Sequence, residues 1–242
     1  MDKLYKRIAK AKRTMGILLD PEKLDFDRVS AFAKAISKKN SQLLTKFNLD
    51  QILLLVGGST MQNVDFVAWT KHLKSLTDLP VIIFPGSHDQ VAPDADALLF
   101  LNLISGRNPD YLIEHQVEAA MKVAELDIEI IPTAYLLLDG GTETAVARIS
   151  QTSPMDQGDL KRILKTALAG QFMGNQLIYL EAGSGAITPV QNDVVKLIKS
   201  HLNIPIIVGG GLRQYQDIND RFNAGAKMIV VGTAIEENLD WI

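Results

Sequence analysis

Short apolar runs rich in β-branched residues alternate with longer amphipathic stretches along the whole chain. The apolar runs predict buried strands, because the strands of a parallel sheet are covered on both faces and read as continuous hydrophobic segments. We place eight strands at residues 16–19, 52–56, 81–84, 97–101, 129–137, 177–180, 206–208 and 228–231. Helical periodicity separates most of them, at residues 28–39, 63–75, 109–125, 159–173, 190–201 and 215–224. This rhythm predicts an α/β fold, a TIM (β/α)8 barrel formed by residues 1–242 as one domain.

One interval breaks the alternation of strands and helices. Residues 85–93, with the sequence PGSHDQVAP, are too few and too rich in Pro and Gly to form a full helix after the third strand. We therefore expect a modified barrel in which a loop replaces the third helix and leaves a slot in the barrel wall. The composition of residues 139–158 predicts a second loop, over the active face, that serves either as a lid or as an ordinary connection.

Composition and charge narrow the classes of function. The chain has 242 residues, of which 47% are hydrophobic, and a formal net charge of −3, which gives no reason to expect binding to nucleic acid. It has no cysteine, which excludes a disulfide framework, a thiolate nucleophile and a zinc–thiolate site. We find neither a signal peptide nor an apolar run long enough to span a bilayer, so we expect a cytoplasmic protein. Residues 3–13 hold six basic side chains and predict a solvated surface helix, with peripheral membrane contact as the alternative.

Three glycine-rich segments in the last quarter of the chain each follow a predicted strand. They are residues 179–185 (YLEAGSG), 208–212 (VGGGL) and 231–234 (VGTA). Where parallel strands end, bare backbone N–H groups and helix N-termini can converge on one anion, so these segments predict a phosphate site. The carboxylate of Glu181 stands at the edge of that site.

A second group of polar residues follows the first two predicted strands. Asp20 comes directly after the first, and Gly57, Gly58, Ser59 and Thr60 come after the second. A hydroxyl beside a carboxylate suits Mg²⁺ that bridges to a diphosphate, since Mg²⁺ prefers oxygen ligands. The same residues are equally compatible with a plain turn and a helix N-cap. Two anion sites across one barrel mouth imply two phosphorylated substrates, or one with a phosphate at each end.

Seven segments together give the chain a family resemblance. It resembles the geranylgeranylglyceryl phosphate synthases, whose relatives include the heptaprenylglyceryl phosphate synthases. The resemblance implies a prenyltransferase that transfers the geranylgeranyl group of geranylgeranyl diphosphate to the 3-hydroxyl of sn-glycerol 1-phosphate, the first ether bond of archaeal-type lipids. The segments are residues 19–23 (LDPEK), 56–60 (VGGST), 83–86 (IFPG), 131–135 (IPTAY), 179–185 (YLEAGSG), 208–213 (VGGGLR) and 231–234 (VGTA).

The resemblance also implies roles for individual residues. Mg²⁺ would be held by Asp20 with a hydroxyl, first that of Ser59 and second that of Thr60. Glu181 would accept or orient the proton of the glycerol 3-hydroxyl, with Tyr179 as its hydrogen-bonding partner. The residues implied to bind glycerol phosphate are Tyr179, Leu180, Glu181, Ala182, Gly183, Ser184, Gly185, Gly210, Gly211, Gly232 and Thr233.

Some questions stay open at the level of the sequence. Relatives that make the heptaprenyl product carry a lysine where this chain has Leu18, which favours geranylgeranyl over a longer prenyl donor. The alternatives are the same reaction with a longer prenyl diphosphate, a sugar-phosphate isomerase, and a barrel that binds phosphate without catalysis. We expect a symmetric homo-oligomer. The prenyl tail is expected in the slot, near Phe84, Pro85, Phe100 and Tyr135.

Overall fold

Eight parallel strands form a closed barrel in which the first strand pairs with the last. A computed structural model of the chain describes residues 3–61, 63–232 and 235. The predicted barrel is confirmed, with strand ends within two residues of those expected. The strands are β1 (Thr14–Leu19), β2 (Gln51–Val56), β3 (Val81–Ile83), β4 (Ala97–Asn102), β5 (Glu129–Leu137), β6 (Leu177–Glu181), β7 (Ile206–Gly209) and β8 (Met228–Val231).

Helices surround the barrel and bury their apolar faces against the outside of the strands. A five-residue π-helical turn, Asp110–Glu114, runs directly into α4. The helices are α1 (Leu4–Lys10), α2 (Phe26–Phe47), α3 (Phe66–Leu76), α4 (His115–Ala124), α5 (Ala145–Ser150), α6 (Leu160–Phe172), α7 (Asn192–His201) and α8 (Tyr215–Ala224).

The helix after β1 is longer than its sequence pattern predicted. It runs to Phe47 instead of residue 39, because Leu43 and Phe47 continue its buried face after a short polar stretch. Asn48 ends it in a left-handed conformation, with φ of 52°. Burial of the last two turns therefore outweighs the weak helix propensity of the Asn and Ser residues there.

No helix lies between β3 and β4. Residues 84–96, all of which the structure describes, form bends and turns only. The loop packs directly on the turn after β2, where a side chain on Gly86 would overlap the backbone carbonyl of Gly58. The predicted replacement of a barrel helix by a loop is thus confirmed.

Helix α1 covers the amino-terminal end of the barrel. Leu4 and Ile8 are buried among side chains that fill the barrel interior, and the backbone N–H groups of Leu4 and Tyr5 donate hydrogen bonds to the Glu129 carboxylate. The expected surface helix therefore exposes only its basic face, and its apolar stripe is not available to a membrane. Among the described residues, we find no helix with the length and hydropathy needed to cross a bilayer.

Candidate active site

A cavity of about 230 Å³ opens at the carboxyl ends of the barrel strands. This is the end at which (β/α)8 barrels carry their active sites. The cavity brings the two predicted anion sites into one space. Its wall includes Asp20 after β1, Gly58 after β2, Phe84 after β3, Glu181 at the end of β6, Gly210 after β7 and Gly232 after β8.

The carboxylate of Glu181 is a buried part of this wall. The residue is only 8% exposed, and its Oε1 accepts a hydrogen bond of 2.6 Å from the backbone N–H of Gly183. Burial raises the pKa of Glu181 from an ordinary value of 4.5 to about 7, although the Gly183 N–H and the Tyr179 hydroxyl act to lower it. A carboxylate with this pKa is suited to take up a proton at neutral pH.

Tyr179 precedes Glu181 by two residues on β6, so both side chains point into the barrel. Its ring belongs to a cluster of three, with centroid distances of 5.0 Å to Phe84 and 5.2 Å to Tyr135, which are 6.2 Å from each other. The Tyr179 hydroxyl is buried near Glu181 and has no hydrogen-bond partner of regular geometry among the described residues. Burial of the hydroxyl beside this carboxylate also raises the pKa of Tyr179 well above its ordinary value, so the two groups act as one polar pair in an apolar wall.

Glycines at the end of β7 and directly after it make room for the Glu181 and Tyr179 side chains. A side chain on Gly209 would overlap the Tyr179 hydroxyl, and one on Gly210 would overlap the Glu181 carboxylate. Gly210 also has a φ of 80°, which side chains disfavour. The carboxylate can therefore lie against the end of β7 only because glycines occupy these positions.

Of the eleven residues implied to bind glycerol phosphate, six lie on the cavity wall, four do not, and one is outside the described residues. Gly183 contacts Glu181 through its N–H, and Gly185 is exposed outside the wall. The side chains of Leu180, on β6, and of Ala182, directly after it, do not reach the cavity and pack in the layer between the barrel and the helices. Thr233 lies outside the described residues. The residues on the cavity wall are Tyr179, Glu181, Ser184, Gly210, Gly211 and Gly232.

Asp20 lies on the opposite side of the cavity. Its side chain is 18% exposed, and burial raises its pKa despite the hydrogen bond from the backbone N–H of Glu22 and the nearby charge of Lys23. The Lys23 Nζ lies 3.6 Å from Asp20 Oδ2. On its other side the carboxylate rests against Gly58, where an added Cβ would be 2.6 Å from Oδ1.

The two hydroxyls predicted to accompany Asp20 have different surroundings. Ser59 is exposed on the cavity wall, close to Asp20 in the same part of the site. Thr60 lies outside the wall, and its hydroxyl donates a hydrogen bond of 2.9 Å to the Glu22 carboxylate. Asp20 and Ser59 thus line the same cavity, whereas the Thr60 hydroxyl is bonded to Glu22.

The donor set beside Asp20 is compatible with Mg²⁺. It offers carboxylate and hydroxyl oxygens, and among the described residues no group of three or more His, Asp or Glu side chains could enclose a metal ion. Mg²⁺ commonly takes one or two carboxylates and fills its other positions with water and substrate phosphate. An ion at Asp20 and Ser59 would have to bind in this open manner.

Part of the cavity wall was not predicted from the sequence. Tyr111 and His115 reach it from the start of the helix after β4, where a spacing of four residues puts them on one face. Phe84 and Tyr135 line the cavity as expected, whereas Pro85 and Phe100 do not. Phe100 packs outside the barrel because the alternation along β4 turns Leu101 inward instead. Other wall residues that were missed are Leu103, Gln116, Val146 and Ile149.

Comparisons with known proteins agree with the resemblance noted in the sequence. The PcrB family model matches residues 9–242. A geranylgeranylglyceryl phosphate synthase from Zunongwangia profunda is 43% identical over 240 residues, covering 98% of each chain. The synthase from Korarchaeum cryptofilum is 38% identical and covers 98% of this chain and 93% of its own.

A solved structure shares the fold. The (S)-3-O-geranylgeranylglyceryl phosphate synthase from Thermoplasma acidophilum, crystallised with its substrate sn-glycerol-1-phosphate, aligns with a TM-score of 0.85 and 34% identity. The alignment covers 98% of this chain and 92% of that one. Matches of this length and identity establish membership, and the chain belongs to the PcrB family, among the geranylgeranylglyceryl phosphate synthases.

Proposed function

We propose that this chain transfers the geranylgeranyl group of geranylgeranyl diphosphate to the 3-hydroxyl of sn-glycerol 1-phosphate. The observation that carries the proposal is the buried carboxylate of Glu181, which lines a cavity of aromatic rings and glycine turns. Burial raises the pKa of this carboxylate to about 7. The relative from Thermoplasma acidophilum, with sn-glycerol-1-phosphate as its substrate, supports the choice of acceptor. The products are the 3-O-geranylgeranyl ether and diphosphate.

The acceptor lies, in this proposal, beside β6 and β7. Its phosphate binds at the turn formed by Gly210 and Gly211, where bare N–H groups and the nearby Ser184 hydroxyl suit an anion. Its 3-hydroxyl donates a hydrogen bond to Glu181. As the new C–O bond forms, the hydroxyl proton passes to Glu181, and the Tyr179 hydroxyl orients the reacting oxygen.

The prenyl donor lies on the other side of the cavity. Its C1–O bond to diphosphate breaks while the glycerol oxygen bonds to C1, and the electron pair leaves with the diphosphate. The stacked faces of Phe84, Tyr135 and Tyr179 adjoin the carboxylate and can stabilise positive charge that develops on the allylic carbon. The apolar side chains of Leu101 and Leu103 offer a surface to the tail.

We propose further that the reaction depends on Mg²⁺. Asp20 and Ser59 would hold the ion, which when bound neutralises charge on the departing diphosphate. The ammonium group of Lys23, beside Asp20, adds a positive charge where the diphosphate would bind. The combination of one half-buried carboxylate and one exposed hydroxyl leaves space for diphosphate oxygens.

The proposed function is tested by a product assay. Purified protein with Mg²⁺ and sn-glycerol 1-phosphate is offered prenyl diphosphates of increasing length, and products are identified by mass spectrometry. We expect the geranylgeranyl ether as the main product. Turnover of a sugar phosphate without any prenyl donor would instead favour an isomerase, and the absence of product at every chain length would contradict the proposal.

We also propose that the chain forms a symmetric homo-oligomer in the cytoplasm. An exposed apolar stripe on the helix after β4 supports assembly, with Ile113, Val117 and Met121 exposed by 61%, 56% and 74%. Apolar side chains spaced by four residues on one helix face are typical of a protein contact. Light scattering on the wild type and on Val117→Asp tests this: we expect a dimer or larger species that the substitution dissociates.

A further inference from the structure

One buried side chain of the loop that replaces the barrel helix has no role in the proposed mechanism. Gln90, in the loop of residues 84–96, is only 2% exposed and does not line the cavity. Burial of an amide is unfavourable unless its donors and acceptors are paired. The partners of this amide therefore indicate why it is there.

The Gln90 amide bonds to two glycines next to the active site. Its Oε1 accepts hydrogen bonds from the backbone N–H groups of Gly58, at 3.3 Å, and of Gly86, at 3.0 Å. Its Nε2 donates a hydrogen bond of 2.8 Å to the carbonyl oxygen of Gly58. Both peptide groups of Gly58 are thus held by one side chain.

Gly58 lies between Gln90 and the Asp20 carboxylate. A Cβ on Gly58 would come within 2.6 Å of Asp20 Oδ1, and the next residue, Ser59, stands on the cavity wall. A side chain on Gly86 would overlap the Gly58 carbonyl, so the two turns are in direct contact. A shift of the Gly58 turn would change the distance between Ser59 and Asp20.

We propose that Gln90 is a positioning residue for the diphosphate side of the site. It does not touch the substrate; it fixes the Gly58–Ser59 turn against Asp20 and ties that turn to the loop that replaces the helix. The inference rests on the proposed function, which assigns diphosphate to Asp20 and Ser59. It predicts that loss of the Gln90 amide weakens binding of the prenyl diphosphate and leaves binding of glycerol phosphate unchanged.

The chain offers a matched control in Gln157. This glutamine is also buried, 4% exposed, and also bonds loop backbone: its Nε2 donates to the carbonyl oxygen of Asp139 at 2.7 Å, and its Oε1 accepts from the N–H of Gln191 at 2.8 Å. It is not on the cavity wall. Gln157→Met therefore measures the general cost of removing a buried amide, away from the Gly58 turn.

The experiment compares Gln90→Met, Gln90→Glu and Gln157→Met with the wild type. Steady-state kinetics give separate KM values for geranylgeranyl diphosphate and sn-glycerol 1-phosphate, and calorimetry with inorganic diphosphate in a buffer of fixed Mg²⁺ gives a Kd. For Gln90→Met we expect both the prenyl KM and the diphosphate Kd to rise about tenfold, since a displaced turn misplaces groups that contact diphosphate. Gln90→Glu keeps the acceptor oxygen but sets a second oxygen against the Gly58 carbonyl, so we expect it to raise both values at least as much as Gln90→Met.

A purely structural role gives a different pattern. If Gln90→Met and Gln157→Met change the diphosphate Kd equally, or if Gln90→Met raises both KM values together, the inference is wrong. Thermal melting shows whether each variant is folded. If Gln90→Met does not fold, Gln90→Glu is compared with Gln157→Met instead. A wild type that makes no ether would refute the proposed function, and the diphosphate Kd values would still decide the role of Gln90.

Discussion

Replacement of Glu181 by glutamine removes a charge from the centre of the site with little change in shape. The glutamine oxygen can still accept the hydrogen bond from the Gly183 N–H, so the turn after β6 is expected to persist. What is lost is the capacity to take the proton of the glycerol hydroxyl. A positioned general base contributes about 10²–10⁴-fold to rate, so we expect kcat to fall by that factor and the Kd for sn-glycerol 1-phosphate to change by less than about threefold.

The pH dependence of the rate, compared between the wild type and Glu181→Gln, tests the role of Glu181 as the base independently. With a pKa of about 7, Glu181 is the ionised base only above neutral pH, so the kcat/KM of the wild type should rise with pH and level off above about pH 8. Glu181→Gln should lose this rise. A wild-type profile that is flat from pH 5.5 to 8.5 would remove Glu181 from the role of base.

Stability should respond to pH in the opposite direction. The folded-state pKa of Glu181 is raised above the ordinary 4.5, so its contribution is fully present below pH 4.5 and is lost as pH rises through about 7. The shift corresponds to about 3 kcal/mol of unfolding free energy. Urea denaturation at pH 5 and pH 8 should therefore show Glu181→Gln gaining stability relative to the wild type at the higher pH. Equal differences at both pH values would contradict the raised pKa.

Three further substitutions test neighbouring parts of the site. Tyr179→Phe removes a hydroxyl that lowers the pKa of Glu181, so the midpoint of the pH–rate profile should move to higher pH. An unchanged midpoint would show that the Tyr179 hydroxyl does not affect the pKa of Glu181. Gly209→Ala places a methyl group where the Tyr179 hydroxyl lies, and we expect a loss of activity of at least about tenfold with the barrel still folded by circular dichroism. Asp20→Asn should raise the Mg²⁺ concentration needed for half-maximal rate, or abolish activity, and a normal Mg²⁺ titration would exclude Asp20 as a ligand.

The barrel could be predicted from sequence because the two periodicities of the chain are strong and separate. The eight apolar runs are long enough to be buried on both faces, and breakers such as Pro85 and Gly86 mark the loop that replaces a helix. The end of α2 could not be predicted in the same way. Local propensity favoured a stop near Asn40, and only the burial of Leu43 and Phe47 shows why the helix continues.

The candidate site was predictable where residues lie next to strand ends, as do Asp20 and Glu181. A whole run of neighbouring residues could not be assigned to the site in the same way. Side chains along a strand point alternately into and out of the barrel, and that of Leu180 points outward. Gln90 carried no sequence signal, because its role depends on the fold of a loop onto Gly58 from 32 residues away. The pKa of Glu181 likewise comes from the surroundings that tertiary packing creates.

In the proposed reaction the glycerol 3-hydroxyl oxygen attacks C1 of the prenyl donor. This attack is tested most directly with sn-glycerol 1-phosphate labelled with ¹⁸O at the 3-hydroxyl, followed by mass spectrometry of both products. We predict that the label is retained in the geranylgeranyl ether and absent from the released diphosphate. Label in the diphosphate, or release of diphosphate without formation of the ether, would contradict the proposed reaction.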